Sequence, residues 1–138
     1  MKRNVDLKKA VDFHGHLGPY LVLGMLMGDL AVRKLRCKRY FGIEVMVRGV
    51  AAKPMSCLID GIQISTGCTY GKGNIHKFSG EKITALFRNV NNNKKVGIAL
   101  NSALIQRLNS LTSHKESELF ARKIFKENTG NLFEIRIY

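Results

Sequence analysis

The chain has 138 residues, 45% hydrophobic and 24% charged, which is enough apolar material for the core of one domain and too little polar repetition for extensive disorder. Its 23 Lys and Arg outnumber 10 Asp and Glu, a net charge of +13 spread along the chain and not gathered in a tail, so anionic partners, nucleic acid among them, are open on charge alone. Three cysteines (37, 57 and 68) make no secreted disulfide framework, the N-terminus lacks an apolar signal stretch, and the most apolar run, Tyr20 to Gly28, falls well short of the roughly 20 residues that span a bilayer; a cytoplasmic protein without a membrane segment is expected.

A short helix is expected over 5–12, leading into FHGHLGP. Pro19 suits the first turn of a second helix, which the apolar pattern carries to about Leu35 as a central helix buried on most sides. Within it, the Gly24-x-x-x-Gly28 spacing marks the close approach of another backbone. The basic run RKLRCKR, Arg33 to Arg39, reads as the capped and solvated end of that helix. IEVMVRGV, 43–50, alternates as a strand.

A third helix is expected over about 56–66, closed by Gly67 in the left-handed conformation, with Cys57 in its first turn and Cys68 just past its end. The glycine-rich TYGKGNIHKFSG reads as loop. Strands at 82–90 and 94–100 flank the turn Asn91-Asn92-Asn93 as a hairpin. Helices over about 102–111 and 114–127 follow, and LFEIRIY closes the chain as a strand with Phe133, Ile135 and Ile137 on one face. Helices and mainly antiparallel strands without a regular βαβ rhythm predict an α+β fold in one domain, 1–138.

The chemistry-bearing residues concentrate in two stretches. In His14-Gly15-His16, histidines two apart point the same way from extended backbone and could reach one ion. Alone, such a pair reads first as a helix cap or a core hydrogen bond. Cys57 adds a thiol, its acidity favoured by a first-turn position, and Cys68 adds another. Asp60 follows Cys57 by one turn and shares its face, as ligand, outer partner or proton acceptor. GCTYGKGN fails the Walker spacing, yet its three glycines, Thr69 and Lys72 suit an anion or an ordered loop. No paired carboxylates suggest glycosidase work, and no serine has a base in view.

FHGHLGPYLVLGMLMGDLA followed by SCLIDGIQISTGCTYGKGNI resembles the two hallmark segments of the FmdE-like family, the E-type subunits of formylmethanofuran dehydrogenase. The resemblance implies a mixed, mainly antiparallel four-stranded sheet packed by helices, similar to the C-terminal domain of glyceraldehyde-3-phosphate dehydrogenase. It also implies zinc or another divalent transition metal, a role in one-carbon, methanogenesis-type metabolism, and formylmethanofuran dehydrogenase or related oxidoreductase subunits as partners. Carried over by position, His14 and His16 match the family's HGH, Cys57, Asp60 and Cys68 its C-x-x-D and GCT, and Lys72 and Asn74 its GKGN. That makes His14, His16, Cys57 and Cys68 the expected metal ligands, with Asp60, Thr69, Lys72 and Asn74 as outer or ligand-binding residues. Carbon dioxide reduction belongs to other subunits, so no catalytic residue is assigned. The cysteine pairs of the longer members' zinc ribbon are absent from this sequence.

Two further readings stand beside this one. The charge, with Tyr40, Phe41 and Tyr70 beside Arg39 and Lys72, suits a nucleic-acid-binding module. Cys57 with Asp60 or His16 suits a small thiol-dependent enzyme. The apolar GxxxG helix and the closing strand offer surface that a symmetric homodimer would cover.

Overall fold

The computed structural model describes residues 6–138. The first helix, α1 (Leu7–His14), is capped by Asp6, whose carboxylate accepts from the Lys8 and Lys9 N–H groups. The expected start at Val5 lies outside the described residues. The helix runs two residues further than the sequence suggested, because Gly15, at φ 108°, supplies the left-handed cap only there. Helix α2 (Pro19–Leu35) starts on its proline, as expected, and 12 of its 17 residues are buried. It is apolar on nearly every side and so becomes the helix around which the others pack.

Strand β1 (Ile43–Arg48) leads to α3 (Cys57–Thr66), which ends on Gly67 at φ 77°. α3 packs against α2 so closely that a Cβ on Gly24 would overlap the Leu58 carbonyl, one on Gly61 the Leu21 carbonyl, and one on Gly28 the Ser65 hydroxyl. The glycine spacing read from α2 therefore marks a close helix contact, backbone to backbone at Gly24 with Gly61 as its counterpart on α3, and backbone to side chain at Gly28.

The Gly-rich segment after α3 is not all loop. Ile75–Phe78 forms β2, paired parallel to β1 with Val45 opposite Ile75. A parallel pair needs a crossover, and α3 supplies it, so β1-α3-β2 is one βαβ unit inside the antiparallel remainder. The hairpin β3 (Thr84–Asn89) and β4 (Lys95–Leu100) and the last strand β5 (Phe133–Ile137) complete a five-stranded sheet, one strand more than expected, in the order β2-β1-β3-β4-β5. Asn93 makes the hairpin turn in the left-handed region, at φ 63°.

One face of the central strands is apolar except for buried Asn89 at the end of β3. Ile43, Val45 and Val47 of β1, Ala85 and Phe87 of β3, and Val96, Ile98 and Leu100 of β4 lie in one cluster with the apolar side of α2. Alternation sends Glu44, Met46, Arg48 and Arg88 the other way. α4 (Ser102–Asn109), capped by Asn101, and α5 (His114–Phe125), capped by Ser113, close the core through Leu104, Leu108, Ala121 and Ile124. The closing strand does not bury its whole expected face: Phe133 is buried, but Ile137 is 66% exposed. β5 is an edge strand, and among the elements described no helix covers its end. No helix of the described residues is long and apolar enough to cross a membrane.

Candidate metal and ligand site

His14 is the last residue of α1 and not part of an extended strand, so the period-two argument for the histidine pair does not hold. The left-handed turn at Gly15 brings the rings together in its place, with centroids 4.7 Å apart. His16 sits in the short connection before α2, exposed, where Gly18 faces its ring.

Asp60, on the first turns of α3, reaches across to His14: its carboxylate lies 2.6 Å from Nδ1. A carboxylate only accepts, so Nδ1 carries the hydrogen. The other nitrogen, Nε2, is buried and has no hydrogen-bond partner. A buried polar atom left this way costs about 1–3 kcal/mol unless something pairs with it. A carboxylate on one imidazole nitrogen and a fixed, unpartnered nitrogen on the other side of the ring is the arrangement that orients histidine as a metal ligand.

His14, His16 and Cys57 line one cleft of about 1010 Å³. The rest of its lining comes from the α4–α5 connection, including Leu111 and Thr112, and from the first turn of α5, including Ser117. Those residues carry no local motif, and only the folding of α5 against α2 brings them here. Imidazole nitrogens and a thiolate suit zinc or a neighbouring divalent metal, and three protein ligands would leave a position open. Among the described residues no three His, Cys, Asp or Glu side chains already stand in ligating geometry. The fit therefore rests on the unpartnered Nε2 and on the donor types that share the cleft.

Cys57 does stand in the first turn of α3, but its thiol is not made more acidic. Burial pushes it up, the Asp60 carboxylate adds to the rise, and Lys53 offsets only part. The helix end does not outweigh these. A free Cys57 is thus a protonated thiol at neutral pH, the opposite of what a thiol nucleophile needs.

Cys68 is not brought to this cleft. α3 is 10 residues, about 15 Å, long, and Cys68 lies past its far end. There it is fully buried among core residues, its Sγ donating to the Ile43 carbonyl at 3.4 Å, and burial raises its thiol. Thr69, Lys72 and Asn74 stay with it. The Thr69 N–H donates to Asn74 Oδ1 at 2.9 Å, Lys72 Nζ donates to Thr69 Oγ1 at 3.1 Å, and Asn74 Nδ2 donates to the Tyr40 carbonyl at 2.6 Å. The first two bonds close the GKGN loop on itself, and the third fastens it to the segment that follows α2. The two motifs are at opposite ends of α3, with Asp60 alone of the expected outer residues at the histidines.

The basic run also departs from the sequence reading. Arg33 and Arg39 both bind Asp29, which is 1% exposed on α2. Lys34, Arg36 and Lys38 remain exposed, as expected of a solvated helix end. The signal for Asp29 in the sequence is its (i, i+4) spacing to Arg33.

Three comparisons bear on identity. The FmdE family model, described as "Molybdenum formylmethanofuran dehydrogenase operon", matches residues 13–134. A protein of Archaeoglobus fulgidus named "Probable S-adenosyl-L-methionine-binding protein" is 33% identical over 76 residues, covering 50% of this chain; the chain spans only 19% of that relative. The crystal structure of an FmdE-like protein of the tungsten formylmethanofuran dehydrogenase type, from Syntrophus aciditrophicus, superposes with a TM-score of 0.70, covering 100% of this chain and 77% of that one, at 21% identity. The likeness to that structure is one of fold. With the family model spanning both motifs and four of the five strands completely, the chain belongs to the FmdE family.

Proposed function

We propose that this chain is a metal-binding protein of the FmdE type, accessory to oxidoreductase subunits of one-carbon, methanogenesis-type metabolism. The observation that carries the metal reading is the His14 ring, held by Asp60 at Nδ1 and left with a buried, unpartnered Nε2 in a cleft shared with His16 and Cys57. His14, His16 and Cys57 would hold zinc or a related divalent ion. Asp60 is a positioning residue that fixes the His14 tautomer and ring plane. Bound there, the ion would supply Lewis acidity toward a small ligand in the cleft. Cys57 would bind as the thiolate and release its proton to solvent, which makes loading weaker as pH falls.

Elemental analysis of protein purified from a metal-replete host tests the proposal. About one ion per chain is expected, with most of it lost in His14→Ala and in Cys57→Ser. A wild-type chain that folds normally and takes up no divalent metal refutes it.

A further inference from the structure

The far end of α3 carries a second surface, separate from the histidine cleft. Tyr40 is 60% exposed, Phe41 79% and Tyr70 90%. Three large aromatic side chains this open, gathered from two loops, are unusual on a folded surface. Lys72 stands between the loops, its Nζ 5.9 Å from the Tyr40 ring centroid and 5.6 Å from that of Phe41, within cation–π reach of both.

The aromatic surface is built and held in place. Tyr40 adopts φ 71°, a left-handed conformation that costs a bulky residue energy. Its N–H donates to the Thr66 carbonyl at 2.8 Å, its carbonyl accepts from Asn74, and a Cβ on Gly67 would overlap its ring. On the other side, the Tyr70 N–H donates to Gln63 Oε1 at 3.3 Å. The rings therefore stand on backbone tied to the end of α3.

The charge within these two segments has one sign. Residues 33–42 hold five Lys or Arg and no carboxylate, and residues 67–74 hold Lys72 and no carboxylate. Arg33 and Arg39 are engaged by Asp29, which leaves Lys34, Arg36 and Lys38 exposed beside Tyr40 and Phe41 in the chain. Exposed aromatic rings interleaved with cations match the two needs of a single-stranded nucleic acid, stacking for bases and neutralisation for phosphates. A purely apolar partner would gain nothing from the cations, and a second copy of the chain would bring its own like charge against them.

We infer that the Tyr40, Phe41, Tyr70 and Lys72 surface, fringed by Lys34, Arg36 and Lys38, is a stacking platform for single-stranded nucleic acid, read without strong sequence preference.

The test is fluorescence anisotropy of the full chain with end-labelled oligouridylate and oligothymidylate of about 12 nucleotides, a length within the usual site size of such grooves. If the four lysine and arginine side chains of the fringe and loop (Lys34, Arg36, Lys38, Lys72) each meet a phosphate, affinity falls ~50-fold between about 50 and 200 mM salt, from the single-strand slope of about 0.7 per contact. Phe41→Ala and Tyr70→Ala each weaken binding at least about fivefold at fixed salt. Lys34→Ala/Lys38→Ala lowers the salt slope by about 1.4. The charge-matched control Lys115→Ala/Lys126→Ala on α5 and just past it leaves it nearly unchanged. Equal binding of the two oligomers supports stacking on bases, and preference for the ribose form supports the same platform with a 2′-hydroxyl contact. Failure to bind either oligomer at low salt overturns the inference, as does wild-type affinity in Phe41→Ala/Tyr70→Ala. Sedimentation velocity adds a further refuting outcome: if the aromatic double variant abolishes self-association and the wild type binds no oligomer, the surface is an interface between copies.

Discussion

Replacing Asp60 separates a metal-positioning role from a purely structural one. In Asp60→Ala, the 2.6 Å contact to His14 Nδ1 is lost, and outer partners of this kind are worth about 10–100-fold in metal affinity. That is about 1.4–2.7 kcal/mol. An opposing effect exists, because the Asp60 charge also raises the Cys57 thiol, and its removal eases the proton loss that metal binding requires. The two can be ranked. The same carboxylate attracts a dication twice as strongly as a proton at comparable distance, so removing it costs the metal more than it relieves the thiol. The net prediction is a loss of at least about tenfold. Competition against a chromophoric chelator of known zinc affinity, at fixed pH, measures it. Asp60→Asn, which keeps an oxygen to accept from Nδ1 and drops the charge, falls between the two. Affinity within about twofold of wild type in Asp60→Ala, in a chain whose metal is lost in His14→Ala, would refute the argument.

Gly61→Ala forces a methyl into the Leu21 carbonyl across the α2–α3 contact and is expected to destabilise by about 1–3 kcal/mol or more, read as a lower urea midpoint with an unchanged slope. Gly71→Ala, where nothing lies within 4 Å of the added carbon, is the neutral control. The Arg107 guanidinium, hydrogen-bonded to Glu127 at 2.7 Å, holds that carboxyl below its usual range. A carboxyl depressed in the folded state contributes stability that is complete above its unfolded pKa and is lost as pH falls through its folded one. The Arg107→Ala variant is therefore expected to lose about 1 kcal/mol at neutral pH, after allowing for partial exposure of the pair, and the difference from wild type narrows in acid to what the Arg107 contact with the Phe120 ring leaves. Thermal melts across that pH range check it, and a difference that grows toward acid would show the sign to be wrong.

Much of the fold is legible where a local rule has a steric cause. Pro19 starts α2 and Gly67 ends α3, since each is fixed by the backbone conformation it allows. The Gly24 and Gly28 spacing correctly announces a close helix contact, though only the structure names Gly61 as its other half. β2 escapes a reading of the sequence because its evidence is tertiary. In IHKF only Ile75 is buried, and the strand exists through its parallel pairing with β1. His14 reads as extended chain but is helical, because a helix ends where the left-handed residue falls, here Gly15 and not an earlier position. The site is half legible. Residue types give His14, His16, Cys57 and Asp60, whereas the wall from the α4–α5 connection carries no motif and comes from packing alone.

The placement of Cys68 has the widest consequence. In sequence, SCLIDGIQISTGCTYGKGN reads as one motif, and one motif invites one site. The 10 residues of α3 set its two ends about 15 Å apart, so Cys57 and Asp60 stand at the histidine end while Tyr70 and Lys72 stand past the other, with Lys72 over the Tyr40 and Phe41 rings. Changes more than about 10 Å apart with no shared partner act independently. The Asp60→Ala chain should accordingly bind oligonucleotide as the wild type does, and the Tyr70→Ala chain should bind zinc as the wild type does, with the double variant showing both losses at their single-variant sizes. Strong coupling between them would mean that α3 itself shifts when metal binds, and that the helix joining the two ends transmits the change.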